Sequence, residues 1–239
     1  IHPRAMRLIR QNLNLVDRKL QKDPEANRLF MEMLTYEKGP GFALRLLNEA
    51  GIFGKFIPDF GRVVAQMQYD MYHVYTVDEH TIRAIELLSE VERGLLAEDH
   101  PLANVIVHKV LSRKVLYVAV MLHDIAKGRK GDHSVLGEKV AKKLCPRLGL
   151  TPAQTETVAW LVRHHLVMCH VAFKRDLNDP KTIEDFSKII QSPERLRLLL
   201  ILTVVDIRAV GPKIWNGWKG QLLRELYYQA EEYLLGGYV

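Results

Sequence analysis

The sequence predicts an all-α protein. Apolar residues recur at spacings of three and four along nearly the whole chain of 239 residues, which is the period of an amphipathic helix. No segment shows the strict alternation of apolar and polar residues that marks a half-buried strand. We therefore expect a multi-helix bundle with strand content near zero.

Residues 1–70 predict an N-terminal helical linker region. A first helix carries one apolar stripe from Met6 to Leu20. Asp23 followed by Pro24 predicts the start of a second helix, because Asp caps free backbone N–H groups and Pro suits the first helical position. The remaining predicted elements are a helix over residues 42–50 and a packed irregular connection over residues 52–61. A change of character near residue 70 suggests a domain boundary there.

Residues 71–239 predict a second, larger helical domain. Gly-rich and Pro-containing segments separate its periodic stretches, and a polar segment surrounds residues 99–101. The most apolar predicted helix begins near Arg113 and ends in His123 and Asp124. The other predicted helices cover residues 80–96, 134–148, 151–165, 193–206 and 220–235.

Composition excludes several classes of protein. With 48% hydrophobic and 26% charged residues the chain can bury a large core, which excludes a disordered tail. Its two cysteines exclude a disulfide scaffold and suggest reduced thiols in a cytoplasmic protein. The longest apolar run, residues 198–205, is far shorter than the roughly 20 residues that span a bilayer, so we expect no membrane association. Without an initiator Met or a signal peptide, the chain is expected to be a piece of a longer protein.

The net charge of +6 invites a nucleic-acid interpretation, but it is concentrated in one segment. Six basic residues and one acidic residue lie between Arg4 and Lys22, which accounts for +5 of the total. A basic helix of this kind is most often a solvated surface, and contact with RNA, an acidic partner or another domain remains an alternative. We therefore do not expect nucleic-acid binding.

Polar residues interrupt the apolar pattern at three places. His123 and Asp124 end a helix that is otherwise apolar on every side, Asp206 follows the apolar run, and His164 with His165 closes an amphipathic helix. Burial of such groups costs several kcal/mol unless they are paired or bind a cation. Each alone is explained as a hydrogen-bonded core residue, but their coincidence favours a metal site with imidazole and carboxylate ligands.

The order His80, His123 with Asp124, and Asp206 resembles the HD superfamily of metal-dependent phosphohydrolases. The name of that superfamily comes from the adjacent His and Asp. His133 and the His164–His165 doublet resemble the branch that holds two metals. The resemblance implies an all-α HD-domain phosphohydrolase bundle that follows the N-terminal linker subdomain.

Longer segments resemble one family of bifunctional enzymes, the PII-protein uridylyltransferase/uridylyl-removing enzymes. The segments are residues 57–62 (IPDFGR), 67–81 (MQYDMYHVYTVDEHT), 123–128 (HDIAKG) and 206–212 (DIRAVGP). In that family a nucleotidyltransferase domain precedes this region and two ACT domains follow it. The resemblance implies the part that removes UMP from uridylylated PII protein in nitrogen regulation.

The same resemblance implies the ligands of two divalent metals. One set is His80, His123, Asp124 and Asp206, and the other is Asp124 as a bridge with His133, His164 and His165. Mixed His and carboxylate ligation suits Mn²⁺, Fe²⁺, Zn²⁺ or Co²⁺, and Mg²⁺ is possible in the cell. Successive helical residues point about 100° apart, so His164 and His165 both face one metal only if the helix ends there. Otherwise we expect His165 to be the one that is not a ligand.

Two residues are expected to take part in the chemistry. Asp124 would bridge the metals, and Lys127, three residues later, would lie at the rim and contact a phosphate of the substrate. A surface lysine beside a Gly-rich loop is the alternative for Lys127. His73, seven residues before His80, is expected to have a structural role rather than to bind metal.

Two other functions remain open from the sequence. A nucleotidase or phosphodiesterase would use the same metals on free nucleotides. A regulatory helical module with a vestigial site would not be an enzyme at all, although the complete set of seven candidate ligands argues against it.

Overall fold

The structure, a computed structural model, describes residues 1–68 and 73–236. Fifteen α-helices and no strand occur in this part of the chain, which confirms the all-α prediction. The first six helices are α1 (Pro3–Gln11), α2 (Arg18–Lys22), α3 (Pro24–Leu34), α4 (Gly41–Glu49), α5 (Ile52–Phe56) and α6 (Pro58–Gly61). The others are α7 (Val77–Glu92), α8 (Pro101–Ile106), α9 (Arg113–Leu122), α10 (His133–Arg147), α11 (Pro152–His164), α12 (Val167–Lys174), α13 (Pro180–Ile190), α14 (Pro193–Val210) and α15 (Gly217–Leu234).

The prediction of one continuous first helix through Leu20 is wrong. α1 ends at Gln11, a 3₁₀ turn follows over Leu13–Leu15, and α2 begins at Arg18. The Asn12 side chain donates to the carbonyl of Leu8 at 2.7 Å, and Asp17 accepts a hydrogen bond from the backbone N–H of Leu20 at 2.9 Å. These side chains form hydrogen bonds with backbone groups that would otherwise bond to other backbone groups within a helix. The helix is therefore interrupted, although the apolar residues keep their helical spacing.

Residues 52–61 were expected to be irregular, but they form the two short helices α5 and α6. Gly54 and Gly61 allow these helices to meet backbone to backbone, since a Cβ on Gly54 would lie 2.8 Å from the Cα of Gly61. Phe53 and Phe60 stack across the same contact with ring centroids 3.7 Å apart. The connection is therefore as closely packed as predicted, although it is helical.

Three further helices were not predicted: α8, α12 and α13. α8 begins at Pro101, the last residue of the segment interpreted as polar, and α12 and α13 lie in the stretch between the predicted helices that end at His165 and begin at Pro193. α13 begins with Asp179 and Pro180, and the Asp179 carboxylate accepts from the backbone N–H of Lys181 at 3.0 Å. This is the same start signal as Asp23 with Pro24, so the sequence contained the information for it.

α7, α9, α11 and α14 form the centre of the bundle. α9 packs against α7 and α11, and α14 packs against α7 and α9. Every residue of α9 from Val115 to Leu122 is buried, as the sequence predicted for this helix. Polar groups that follow α9 therefore lie in the interior of the bundle.

The N-terminal helices pack beside this centre. α4 contacts α7, and the Asn48 amide donates to the buried Asp78 carboxylate at 2.9 Å. The guanidinium of Arg147, at the end of α10, donates to the carbonyl of Phe56 at 2.7 Å. The predicted boundary near residue 70 falls at residues 69–72, outside the described residues. Among the described helices, none combines the length and apolar character needed to cross a membrane.

Candidate metal centre

Ends of several helices bring His and Asp side chains to one place. His80 lies in the first turn of α7, and His123 directly follows the last residue of α9. His133 begins α10, and His165 directly follows α11. Two of these histidines therefore lie where a helix begins and two where a helix ends.

One group contains four potential ligands: His80, His123, Asp124 and Asp206. The Oδ1 atom of Asp206 lies 2.9 Å from Nε2 of His80 and 3.2 Å from Nε2 of His123. The Oδ2 atom of Asp124 lies 3.3 Å from Nε2 of His123. Neighbouring ligands of one ion at about 2.1 Å are separated by roughly 3 Å, so these four donor atoms have suitable spacing for one cation.

A second group contains Asp124, His133 and His165. The Oδ1 atom of Asp124 lies 3.6 Å from Nε2 of His133 and 3.6 Å from Nε2 of His165. Oδ2 of the same carboxylate faces the first group. The two oxygens of Asp124 are thus divided between the two groups, which is the arrangement of a bridging carboxylate.

Backbone carbonyls fix the ring orientation of two of the histidines. Nδ1 of His123 lies 2.6 Å from the carbonyl of Val120, and Nδ1 of His165 lies 2.7 Å from the carbonyl of Val162. A carbonyl only accepts, so Nδ1 carries the hydrogen in both rings. In the neutral imidazole, Nε2 then offers its lone pair to the site, as it does in metal-ligating histidines.

Buried nitrogen atoms without a hydrogen-bond partner test whether a metal fits. Nε2 of His133 and Nε2 of His165 are both buried and have no hydrogen-bond partner. Leaving a buried polar atom unsatisfied costs about 1–3 kcal/mol. A divalent cation in contact with these atoms would satisfy both, so the residues present fit the metal that the sequence predicts.

The carboxylates of the site are held in the ionised form. Burial would raise the pKa of Asp124, but the nearby His123 and the charge of Lys127 hold it well below its usual value. Burial would likewise raise the pKa of Asp206, and His123 and His80 lower it instead. The site therefore contains one buried and one partly buried negative charge, which favour a cation.

The histidines respond to the same environment in different ways. Burial would lower the pKa of His123, but the carboxylates of Asp124 and Asp206 raise it well above its usual value. Burial lowers the pKa of His133 despite the opposing charge of Asp124. His133 is therefore neutral at physiological pH, which is the form that binds metal.

Lys127 lies at the edge of the first group, with 24% of its side chain exposed. Its Nζ atom lies 3.3 Å from Oδ2 of Asp124 and donates to Oε1 of Gln68 at 2.7 Å. The position at the rim agrees with the one expected from the sequence. Gln68 was not expected at the site, and no sequence spacing could have revealed it, because 59 residues separate it from Lys127.

His164 belongs to neither group of potential ligands among the described residues. Its ring lies against Trp160, with the centroids 4.9 Å apart. α11 remains helical through His164, and His165 itself has helical backbone angles, so the two side chains diverge. Only one of the two histidines faces the candidate metal centre, as expected for a continuous helix. That residue is His165, whereas we expected His164.

Two other histidines contact aromatic rings. His73 lies before α7 rather than within it, and its ring meets that of His80 edge to face with centroids 5.9 Å apart. His100 packs in the same manner against Trp215 at 4.6 Å. Neither belongs to a group of potential ligands among the described residues.

Comparison with protein families gives two matches, which cover different parts of the chain. Residues 77–206 match the family described as HD domain. Residues 1–56 match the family described as Uridylyltransferase GlnD third domain. The first match extends over more than half of the chain and includes every candidate ligand.

Two curated proteins are similar to the chain over almost its full length. Both are called bifunctional uridylyltransferase/uridylyl-removing enzyme, one from Azospirillum brasilense and one from Novosphingobium aromaticivorans. The first is 65% identical over 237 residues, which are 99% of this chain and 25% of the relative. The second is 65% identical over 238 residues, which are 100% of this chain and 26% of the relative. The chain therefore spans about a quarter of the length of these relatives.

Proposed function

The chain belongs to the HD-domain family, and we propose on this premise that it hydrolyses the phosphodiester bond between UMP and a tyrosine of a PII signal-transduction protein. This is the uridylyl-removing activity that appears in the names of both relatives. The observation that carries the proposal is the division of the two Asp124 oxygens between two groups of potential ligands. A phosphodiester is a suitable substrate for a site that holds two cations side by side.

We assign the ligands by these two groups. His80, His123, Asp124 and Asp206 would hold one divalent ion, and Asp124, His133 and His165 would hold the other. Because the donors are both imidazole nitrogens and carboxylate oxygens, Mn²⁺, Fe²⁺, Zn²⁺ or Co²⁺ suits the site better than a purely oxygen-seeking ion, and Mg²⁺ is possible in the cell.

A pair of bound divalent ions would neutralise the phosphoryl oxygens and lower the pKa of the attacking water. The chain itself supplies orientation. The carbonyls of Val120 and Val162 hold the rings of His123 and His165, so their Nε2 atoms do not reorient during the reaction. Lys127 donates to a phosphoryl oxygen from the rim of the site. The tyrosyl leaving group has a free pKa near 10, so it needs less protonation than an alkoxide would.

Partners and location follow from the same proposal. Uridylylated PII is the substrate, and UMP and unmodified PII are the products. Nucleotidyltransferase and ACT domains would occupy other parts of the longer protein, as the resemblance to the bifunctional family implies. A cytoplasmic location suits the two free cysteines, of which burial raises the pKa of Cys145 to about 12.

Release of UMP from uridylylated PII tests the proposal. The purified chain, loaded with Mn²⁺, is expected to release UMP and to lose this activity with a chelator. Turnover of free nucleotides at a rate equal to or above that of uridylylated PII would instead favour a nucleotidase. Asp124→Asn serves as the inactive control, and Asp185→Asn, which changes an exposed carboxylate paired with Lys181, serves as the matched active one.

A further inference from the structure

Gln68 is connected to the candidate metal centre through both ends of its amide group. Its Oε1 atom accepts a hydrogen bond from Nζ of Lys127 at 2.7 Å. Its Nε2 atom donates to the carbonyl of Tyr75 at 3.1 Å. The side-chain amide of Gln offers both donors and an acceptor on one uncharged planar group, and Gln has a longer reach than Asn.

The ammonium group of Lys127 has three N–H donors. One is directed to Gln68 and one lies towards Oδ2 of Asp124 at 3.3 Å. The part of the side chain that remains exposed leaves the third donor available at the rim of the site. Without the contact to Gln68, the ammonium would pair with Asp124 alone and move away from the rim.

The backbone that carries Gln68 is itself anchored to the helix of His80. Oδ1 of Asp78, in the first turn of α7, accepts from the backbone N–H of Ala65 at 3.1 Å, and the N–H of Val77 donates to the carbonyl of Gln66 at 3.0 Å. Ala65 has a φ of +56°, a conformation that is strained for a residue with a Cβ. The surrounding contacts hold the segment in this conformation, which directs it towards the metal centre.

We propose that Gln68 is a positioning residue that holds the Lys127 ammonium at the rim of the metal centre, where it binds the phosphate of the UMP group. This inference rests on the proposed function for the identity of the substrate. An uncharged acceptor suits the role, because it orients the ammonium without neutralising it. A carboxylate at the same place would form an ion pair and reduce the charge that faces the phosphate.

A double-mutant cycle on ligand binding tests the proposal. The affinities of UMP and of inorganic phosphate are measured by calorimetry on the Mn²⁺-loaded chain for the wild type, Gln68→Met, Lys127→Met and the double variant. We expect Gln68→Met to weaken UMP binding about tenfold, which is the effect of one charge-assisted hydrogen bond. We expect the double variant to bind UMP no more weakly than Lys127→Met, because Gln68 acts only through Lys127.

Two further variants separate positioning from a purely structural role. Gln68→Glu keeps an acceptor beside Lys127, so the thermal midpoint should not fall, while UMP binding should weaken because the ammonium is neutralised. Gln21→Met is the matched control, since Nε2 of Gln21 also donates to a backbone carbonyl, that of Lys55 at 2.9 Å, outside the site. It should bind UMP like the wild type.

The outcomes distinguish this inference from the proposed function. If the wild type releases no UMP from uridylylated PII, the proposed function fails, while the binding cycle still reports on Gln68. Independent, additive losses from Gln68→Met and Lys127→Met would overturn the inference. Unchanged UMP affinity in Gln68→Met, or no binding of either anion by the wild type, would also overturn it.

Discussion

His164 and His165 are neighbours in the chain, but their imidazole rings contact different parts of the protein. Nε2 of His165 lies 3.6 Å from Oδ1 of Asp124, and the ring lies between those of His123 and His133. The ring of His164 lies against Trp160 instead. Two histidines that differ by one position in the sequence thus provide a test residue and its control.

We expect His165→Ala to remove one of the two proposed metal ions and His164→Ala to remove none. His165 supplies a buried nitrogen atom without another partner, whereas His164 belongs to neither group of potential ligands. Elemental analysis of each variant after reloading with Mn²⁺ gives the number of ions per chain. Equal metal content in the two variants, or loss of metal only in His164→Ala, would contradict the assignment.

Some residues of this site could be predicted from the sequence and others could not. His80, His123, Asp124 and Asp206 were expected as one set of ligands, and the structure brings them together. The choice between His164 and His165 depended on the residue at which α11 stops being helical, which spacing alone does not determine. Gln68 could not have been found, because its contact with Lys127 depends on how two distant segments pack.

Asp124→Asn is expected to affect both groups of ligands at once. Asparagine has nearly the same shape but no negative charge, and each oxygen of Asp124 faces a different group. Metal content should fall for both ions, and UMP release should fall by more than about 100-fold, since even residues behind the ligands contribute 10–100-fold. His123→Ala should abolish UMP release as well.

The circular dichroism spectrum distinguishes loss of metal from loss of fold in these variants. The bundle is held together by apolar contacts among α7, α9, α11 and α14, so helix content should be largely unchanged. Full UMP release by Asp124→Asn would show that the carboxylate is not a bridging ligand.

Stability should decrease in mild acid because of His100. Burial lowers the pKa of His100 to about 4, and the charges of Arg208 and Arg224 act in the same direction against that of Asp99. The unfolded chain binds a proton at this residue near pH 6.5, whereas the folded chain does not until about pH 4. The free energy of unfolding should therefore fall by about 2 kcal/mol between these pH values, after allowance for residual solvation.

Comparison with His100→Phe isolates this contribution from the other titrating groups. Phenylalanine keeps an aromatic ring against Trp215 but has no proton to bind. Urea unfolding of both proteins from pH 7 to pH 4 should show the smaller decrease in the variant. Parallel pH profiles would mean that His100 is not the residue responsible.

Local sequence signals predicted the starts of helices better than their continuity. Asp23 with Pro24 marks a helix start because the Asp side chain satisfies a free backbone N–H group, and the structure shows this cap. The start of the helix predicted over residues 151–165 is capped as well, because the Thr151 hydroxyl accepts from the backbone N–H of Gln154. The break after α1 was missed because the apolar stripe continues through it. Helix propensity and apolar spacing do not predict that the side chain of Asn12 donates to the backbone carbonyl of Leu8.

Gly137 is expected to determine how closely α10, which begins at His133, packs against α11, which His165 follows. It lies on α10, four residues after His133, and a Cβ at this position would be 2.8 Å from Cγ1 of Val162 on α11. The branched valine side chain has little freedom to move. Gly137→Ala should therefore lower the free energy of unfolding by about 1–3 kcal/mol, although alanine favours a helix by about 1 kcal/mol over glycine.

The same change should also reduce binding of the second metal ion, because Val162 supplies the carbonyl that orients His165. Gly217→Ala is the matched control, since a Cβ there meets no atom within 4 Å, and it should be neutral or stabilising. Addition of Val162→Ala to Gly137→Ala removes the contacting methyl group, so the double variant should be more stable than the sum of the two single losses predicts. Urea unfolding and metal content measure these effects, and a Gly137→Ala chain as stable as the wild type would show that α10 and α11 have room to separate.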